Sequence, residues 1–115
     1  MTSESPGAGE FLPLKPRVYL TLLLLAQRPR HGYDLLRVLE ERSGGRLRLN
    51  PGSFYRLIHR LRDQGLIERV ETSADAASGG ADRKTYGLTE LGLETLRAEA
   101  RRQEALLDLA RDWAL

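Results

Sequence analysis

The segment Asn50-Pro51-Gly52-Ser53-Phe54-Tyr55-Arg56-Leu57-Ile58-His59-Arg60-Leu61-Arg62 constrains this chain more than any other. Asparagine is a favoured helix cap, and proline fits the first helical position, where a missing N–H costs nothing. Leu49 and Phe54 stand where a hydrophobic staple places them. Phe54, Leu57, Ile58 and Leu61 then recur at i, i+3, i+4 and i+7, one face of an α-helix, and Gly65 closes it. That face must meet a core. The other faces carry Ser53, Tyr55, Arg56, His59, Arg60 and Arg62, so the helix presents a basic, hydroxyl-bearing surface to its surroundings.

The flanking segments supply what the inner face packs against. Residues 1–13, built from Ser, Gly, Pro and Glu without periodicity, read as a flexible N-terminal arm. Pro16 opens a helix that runs to about Arg28; it is apolar on nearly every side, hence buried by several neighbours, and Pro29 ends it. A second helix from Gly32 has Tyr33, Leu35, Leu36, Val38 and Leu39 in its stripe and stops at Ser43-Gly44-Gly45. Arg46-Leu47-Arg48-Leu49 alternates polar and apolar and reads as a short strand. Leu66 to Thr72 and Lys84 to Leu88 read as the two strands of a hairpin. Its long tip, residues 73–82, is made of small residues and predicts a flexible wing.

Thr89 caps the last helix, with Leu88 and Leu93 spaced for a second staple. Within it Leu96, Ala100, Gln103, Leu107, Ala110 and Ala114 alternate spacings of four and three, a coiled-coil seam that Leu106, Leu109 and Trp113 widen. A chain of 115 residues has room for one core and little left to cover so long a seam, so a second copy is expected there. The whole is mainly α with a small β-hairpin wing. Residues 14–88 form a winged helix-turn-helix, and residues 89–115 a C-terminal dimerisation helix.

Charge distribution says what the basic helix face meets. Between Lys15 and Arg69 twelve bases stand against five acids, a surplus of seven, although the net charge of the chain is only +2. From Leu88 onward six acids oppose four arginines. A basic front and a mildly acidic tail point to a polyanion at the front and protein at the tail. The helix over 51–62 is the one that enters a major groove, since it alone pairs an apolar inner stripe with a base-rich outer face. Arg56 and Arg60 share a face one turn apart and suit guanine edges, while the Ser53 and Tyr55 hydroxyls suit phosphate oxygens. His59 lies between them, and Arg83 and Lys84 at the wing's return reach the adjacent backbone or minor groove.

Other chemistry finds little support. Without cysteine there is no disulfide, thiolate metal site or thiol nucleophile. His31 and His59 lie on different elements with no second ligand at metal spacing, Ser53 has no base motif nearby, and no pair of carboxylates or triad falls at useful spacing. No catalytic residue, metal or cofactor is therefore expected. Trp113 reads as interface packing rather than a ligand-stacking ring. Val18 to Ala26 is too short for a membrane span, which needs ~20 residues. Met1 to Glu10 has no base and no apolar run, unlike a secretory signal, so a cytoplasmic protein is expected. RNA binding would favour aromatics exposed on a sheet. The alternative is a winged-helix module for protein partners, which would need an apolar or acidic outer face in place of this basic one.

His31-Gly32-Tyr33-Asp34-Leu35-Leu36, Glu41 to Leu49, Pro51-Gly52-Ser53-Phe54-Tyr55-Arg56-Leu57, Gly65-Leu66-Ile67-Glu68 and Arg83 to Gly92 together resemble the PadR family of bacterial transcriptional regulators. The likeness covers roughly residues 12–96. With a single C-terminal helix the chain is similar to the family's short subfamily. The resemblance implies a homodimer on a palindromic operator in double-stranded DNA, usually as a repressor, with Tyr55 contacting the DNA backbone. It also implies that a small apolar or phenolic effector releases the DNA. Some short members stack planar ligands on an aromatic residue in the middle of the last helix, where this chain has Arg101, Arg102 and Gln103.

Overall fold

A computed structural model describes residues 7–71 and 84–113. After a 3-10 turn (Ala8–Phe11) the elements are α1 (Pro16–Gln27), β1 (Arg30–His31), α2 (Gly32–Arg42), α3 (Pro51–Asp63), β2 (Ile67–Val70), β3 (Thr85–Leu88) and α4 (Glu90–Asp112). The chain is thus mainly helical with a three-stranded antiparallel sheet ordered β1-β3-β2. The expected wing tip over 73–82 lies outside the described residues. Among those described, no helix is long and apolar enough to cross a membrane.

Local chemistry sets most boundaries. Pro16 occupies the first turn of α1, and Arg28, the residue before Pro29, is fully extended at φ −174° and ψ 158°; the proline ring excludes the helical region from its predecessor. Asn50 accepts a hydrogen bond from the Ser53 amide at 2.8 Å and so caps α3. Between α3 and β2 the chain reverses at Gly65, whose φ of +79° would strain any residue with a Cβ. Thr89 accepts from the Gly92 amide at 2.9 Å, and its own hydroxyl donates back to the Gly65 carbonyl at 2.6 Å. At Gly92 itself a Cβ would run into the Leu66 carbonyl oxygen, so α4 begins in backbone contact with the turn after α3.

The core gathers Leu22 and Leu25 from α1, Leu35 and Leu39 from α2, and Phe54, Leu57, Ile58 and Leu61 from α3. Leu66, Ile67, Tyr86 and Leu96 close it from the sheet and α4. Burial on this scale is worth about 1.5–3 kcal/mol for each large apolar side chain. Helix α1 is less completely enclosed than its composition implies, for Leu23 stays 37 % exposed.

Three expectations need revision. Arg46 to Leu49 form no strand: Leu47 and Leu49 are half-buried and Arg46 and Arg48 exposed, but the segment is irregular. The place it would need in the ladder is taken, because β3 pairs with β2 on one side and with β1 on the other, Arg30 opposite Tyr86 and His31 opposite Thr85. Secondly, β1 falls where only a connection was read. Thirdly, residues 8–11 of the supposed flexible arm form a turn, and Phe11 and Leu14 pack against the core. Apolar surface outweighs the arm's polar composition there.

Candidate nucleic-acid interface

Helix α3 divides into two faces as its sequence spacing requires. Phe54, Leu57, Ile58 and Leu61 are between 0 and 5 % exposed, whereas Arg56, His59 and Arg60 are exposed and Ser53 and Tyr55 half-buried. Arg56 donates to the Ser53 hydroxyl at 3.1 Å, and His59 lies 3.4 Å from Asp63 one turn on. Arg60 and Arg62 occupy the last turn, where positive charge also favours the helix C-terminus. Every α3 residue expected to meet nucleic acid is therefore at the surface, along one broad strip.

Tertiary contacts add the base of the wing to this strip. A Cβ on Gly32 would stand 2.9 Å from the Tyr55 hydroxyl oxygen, so glycine at the start of α2 is what lets the phenol ring lie there. The ring is held edge-on by Phe54, with centroids 5.0 Å apart. The Gly32 amide donates to the Lys84 carbonyl at 3.0 Å, and the His31 ring and Thr85 hydroxyl meet at 3.1 Å. Lys84 at the wing's return is thus fastened beside the N-terminus of α2 and the Tyr55 ring. Arg83 lies outside the described residues. The role of Gly32 as a seat for Tyr55 was not read from the sequence. The spacing between His31-Gly32 and Tyr55 carries no local signal.

Two buried charges were also missed. Arg30 is only 7 % exposed. It donates through Nε to the Leu24 carbonyl at 3.1 Å and through Nη2 to Gln27 at 2.7 Å, and it pairs with Asp34 at 3.3 Å. It stitches α1 to α2 and does not belong to the basic surface. Glu99 is wholly buried and accepts from Arg102 Nε at 2.9 Å, Arg102 Nη2 at 2.6 Å, Gln103 at 2.7 Å and the Leu14 amide at 3.2 Å. The Arg102 guanidinium above all holds this carboxyl down to about 2, against the opposing effect of burial. Glu99 and Arg102 look in sequence like an ordinary exposed i, i+3 pair. On the sheet, burial pushes the Tyr86 phenol up, so its ring stays neutral.

The expected dimer seam is split. Leu96 is 5 % exposed inside the chain's own core, and Gln103 is drawn onto Glu99. Ala100 is exposed and Ala110 half-buried, while Ala114 lies outside the described residues. Leu106, Leu107 and Leu109 are 46 to 51 % exposed and Trp113 72 %. The second half of α4 therefore leaves the body with its large apolar side chains in solvent.

Comparison with known proteins agrees with this architecture. The sequence model of the transcriptional regulator PadR-like family matches residues 21–98. Among solved structures, a PadR-like transcription factor from Bacteroides fragilis is similar at 29 % identity, covering 84 % of this chain and 88 % of that one, with a TM-score of 0.64. A PadR family regulator from Eggerthella lenta shares 29 % identity over 84 % of this chain and 82 % of its own, with a TM-score of 0.60. A PadR-like regulator from Bacillus cereus shares 25 % over 84 % and 88 %, with a TM-score of 0.67. No curated protein matches the chain. The family is one of transcription regulators and not of enzymes, as the absence of a catalytic constellation in the sequence led us to expect. With its helix-turn-helix core and hairpin strands inside the matched segment, the chain belongs to the PadR-like family of transcriptional regulators.

Proposed function

We propose that the chain is a homodimeric repressor that reads a palindromic duplex operator with α3, works in the cytoplasm and releases DNA when a small apolar or phenolic effector binds. The observation that carries this reading is the exposure of Arg56, His59 and Arg60 on a helix whose opposite face is locked into the core. A helix so seated offers its charged side to a groove without having to repack. Arg56 and Arg60 read base edges, Ser53 and Tyr55 contact phosphates, and Lys84 with Arg83 engages the flanking backbone. Pairing of two copies rests on the solvent-facing leucines and Trp113 of α4, which a partner helix would cover. Two copies related by a two-fold axis then require a two-fold operator. Release by an effector rests on the family resemblance.

A nuclease footprint across this gene's own upstream region and that of its neighbour tests the reading. The expected result is one protected inverted repeat at nanomolar protein, weakened by a phenolic acid or planar drug. Equal, unstructured protection of every sequence at all protein concentrations would refute specific recognition.

A further inference from the structure

Arg56 and Arg60 have a second environment besides the outer face of α3. With Arg17 of α1 they line a cleft of about 130 Å³, completed by Ser53, Leu49 and Leu57. Among the described residues no carboxylate pairs with any of these three arginines. Lack of an acid partner does not by itself set them apart: Arg30, Arg37, Arg48 and Arg102 have one, whereas Arg42, Arg46 and Arg97 are exposed and likewise without one among the described residues; what distinguishes these three is that they line one cleft together. Three arginines from two helices thus share this cleft with the Ser53 hydroxyl, to which Arg56 donates at 3.1 Å, and no carboxylate of the described residues lines it. The arrangement becomes favourable when an anion is shared among them, because each guanidinium offers a planar fork matched to phosphate oxygens.

We infer that Arg17, Arg56, Arg60 and Ser53 form a phosphate-binding cleft between α1 and α3, with Arg17 as a phosphate-contacting residue outside the helix-turn-helix. Arg56 and Arg60 also border the outer hollow beside Tyr55, His59 and Asp63, so they stand between base-facing surface and cleft. Each has donors enough for both. Arg17 lines the cleft and not the outer hollow, and so is the residue that separates the two. The phosphate comes either from the duplex backbone flanking the groove or from a free phosphate group. The first source rests on the DNA-binding reading above; the second does not.

The test uses the full chain and its Arg17→Gln and Arg17→Lys variants. Binding to a mixed-sequence 30-base-pair duplex (about three helical turns) is followed by fluorescence anisotropy from low to moderate salt. Melting is followed in inorganic phosphate and in chloride at equal ionic strength. If the duplex supplies the phosphate, Arg17→Gln weakens binding about tenfold, equally for all sequences, and lowers the log–log salt slope by about one. Arg17→Lys restores the slope. If a free phosphate group is the ligand, phosphate but not chloride raises the parent's melting temperature, and the shift disappears in Arg17→Gln. In chloride Arg17→Gln melts no lower than the parent, since among the described residues the Arg17 guanidinium makes no ion pair or hydrogen bond that the change removes; a residue with a merely structural role would cost stability. Parent and Arg17→Gln agreeing in duplex affinity, salt slope and response to phosphate would overturn the inference. A parent that binds no duplex yet shows the phosphate shift would refute the DNA reading and leave the cleft standing.

Discussion

Glu99 offers a quantitative handle on how the last helix is fastened to the body. Its carboxyl is brought from an ordinary 4.5 to about 2, and a depressed acid stabilises the folded chain only while it is ionised. The contribution is complete above the unfolded value, near pH 4.5, and fades as pH falls toward about 2. A shift of this size is worth at most roughly 3 kcal/mol. Arg102 keeps 37 % of its side chain in solvent, so screening reduces this to about 1–2 kcal/mol. Glu99→Gln keeps the shape and one acceptor for the Leu14 amide, but turns an NH₂ toward the donors of Arg102 or Gln103. Urea unfolding of parent and variant at pH 7, 4 and 2.5, at one protein concentration, measures the difference. We expect the variant to be about 1–2 kcal/mol less stable at pH 7, with the gap narrowing progressively below pH 4.5 as Glu99 takes up its proton in the unfolded parent while the folded parent still holds it ionised. Other carboxylates titrate in the same range, but they do so in both proteins and cancel. A gap that stays constant from pH 7 to pH 2.5, or that is absent at pH 7, would refute this account of the Leu14–Glu99–Arg102 contact.

Further substitutions probe the interface and its supports. Arg56→Ala should cost about 1–3 kcal/mol of operator binding and relax base preference at one position, read by competition with single-base operator variants. Lys84→Ala should instead lower affinity for operator and scrambled duplex alike and reduce the salt slope by about one. Leu107→Asp, a charge placed among the exposed leucines of α4, should leave a folded monomer by light scattering; an intact dimer would place the contact elsewhere. Gly92→Ala should destabilise the chain by about 1–3 kcal/mol through overpacking against the Leu66 carbonyl, seen as a lower urea midpoint with unchanged helix content in water.

What was legible in the sequence was what is decided within a few residues. The cap at Asn50, the prolines at 16, 29 and 51, the glycine at 65 and the apolar stripe of α3 act on their own backbone or on one helix face. Helices α1 to α4 and strands β2 and β3 therefore stand where propensity and periodicity place them. Once the inner face of α3 was identified, its outward residues followed by subtraction. The alternation over Arg46 to Leu49 misled for the same reason: it reports one-sided burial, which an irregular segment meets as well as a strand does.

Only the tertiary structure decided which strand edge is filled, which charges go inside, and how much of the seam remains open. Arg30–His31 gains its ladder from β3, more than fifty positions away, and no local pattern encodes that pairing. Arg30 is tolerated in the interior because the Leu24 carbonyl and Gln27 of α1 meet it together with Asp34, and Glu99 because the Leu14 amide reaches it from the start of the chain while Arg102 and Gln103 pair with it along its own helix; in sequence they are simply charged residues. Leu96 fits a seam by spacing, yet it is spent on the chain's own core because α4 is drawn onto the body as far as Glu99. Short-range sterics and hydrogen bonding choose the elements, but the free energy of burying a given side chain depends on partners that only folding brings near.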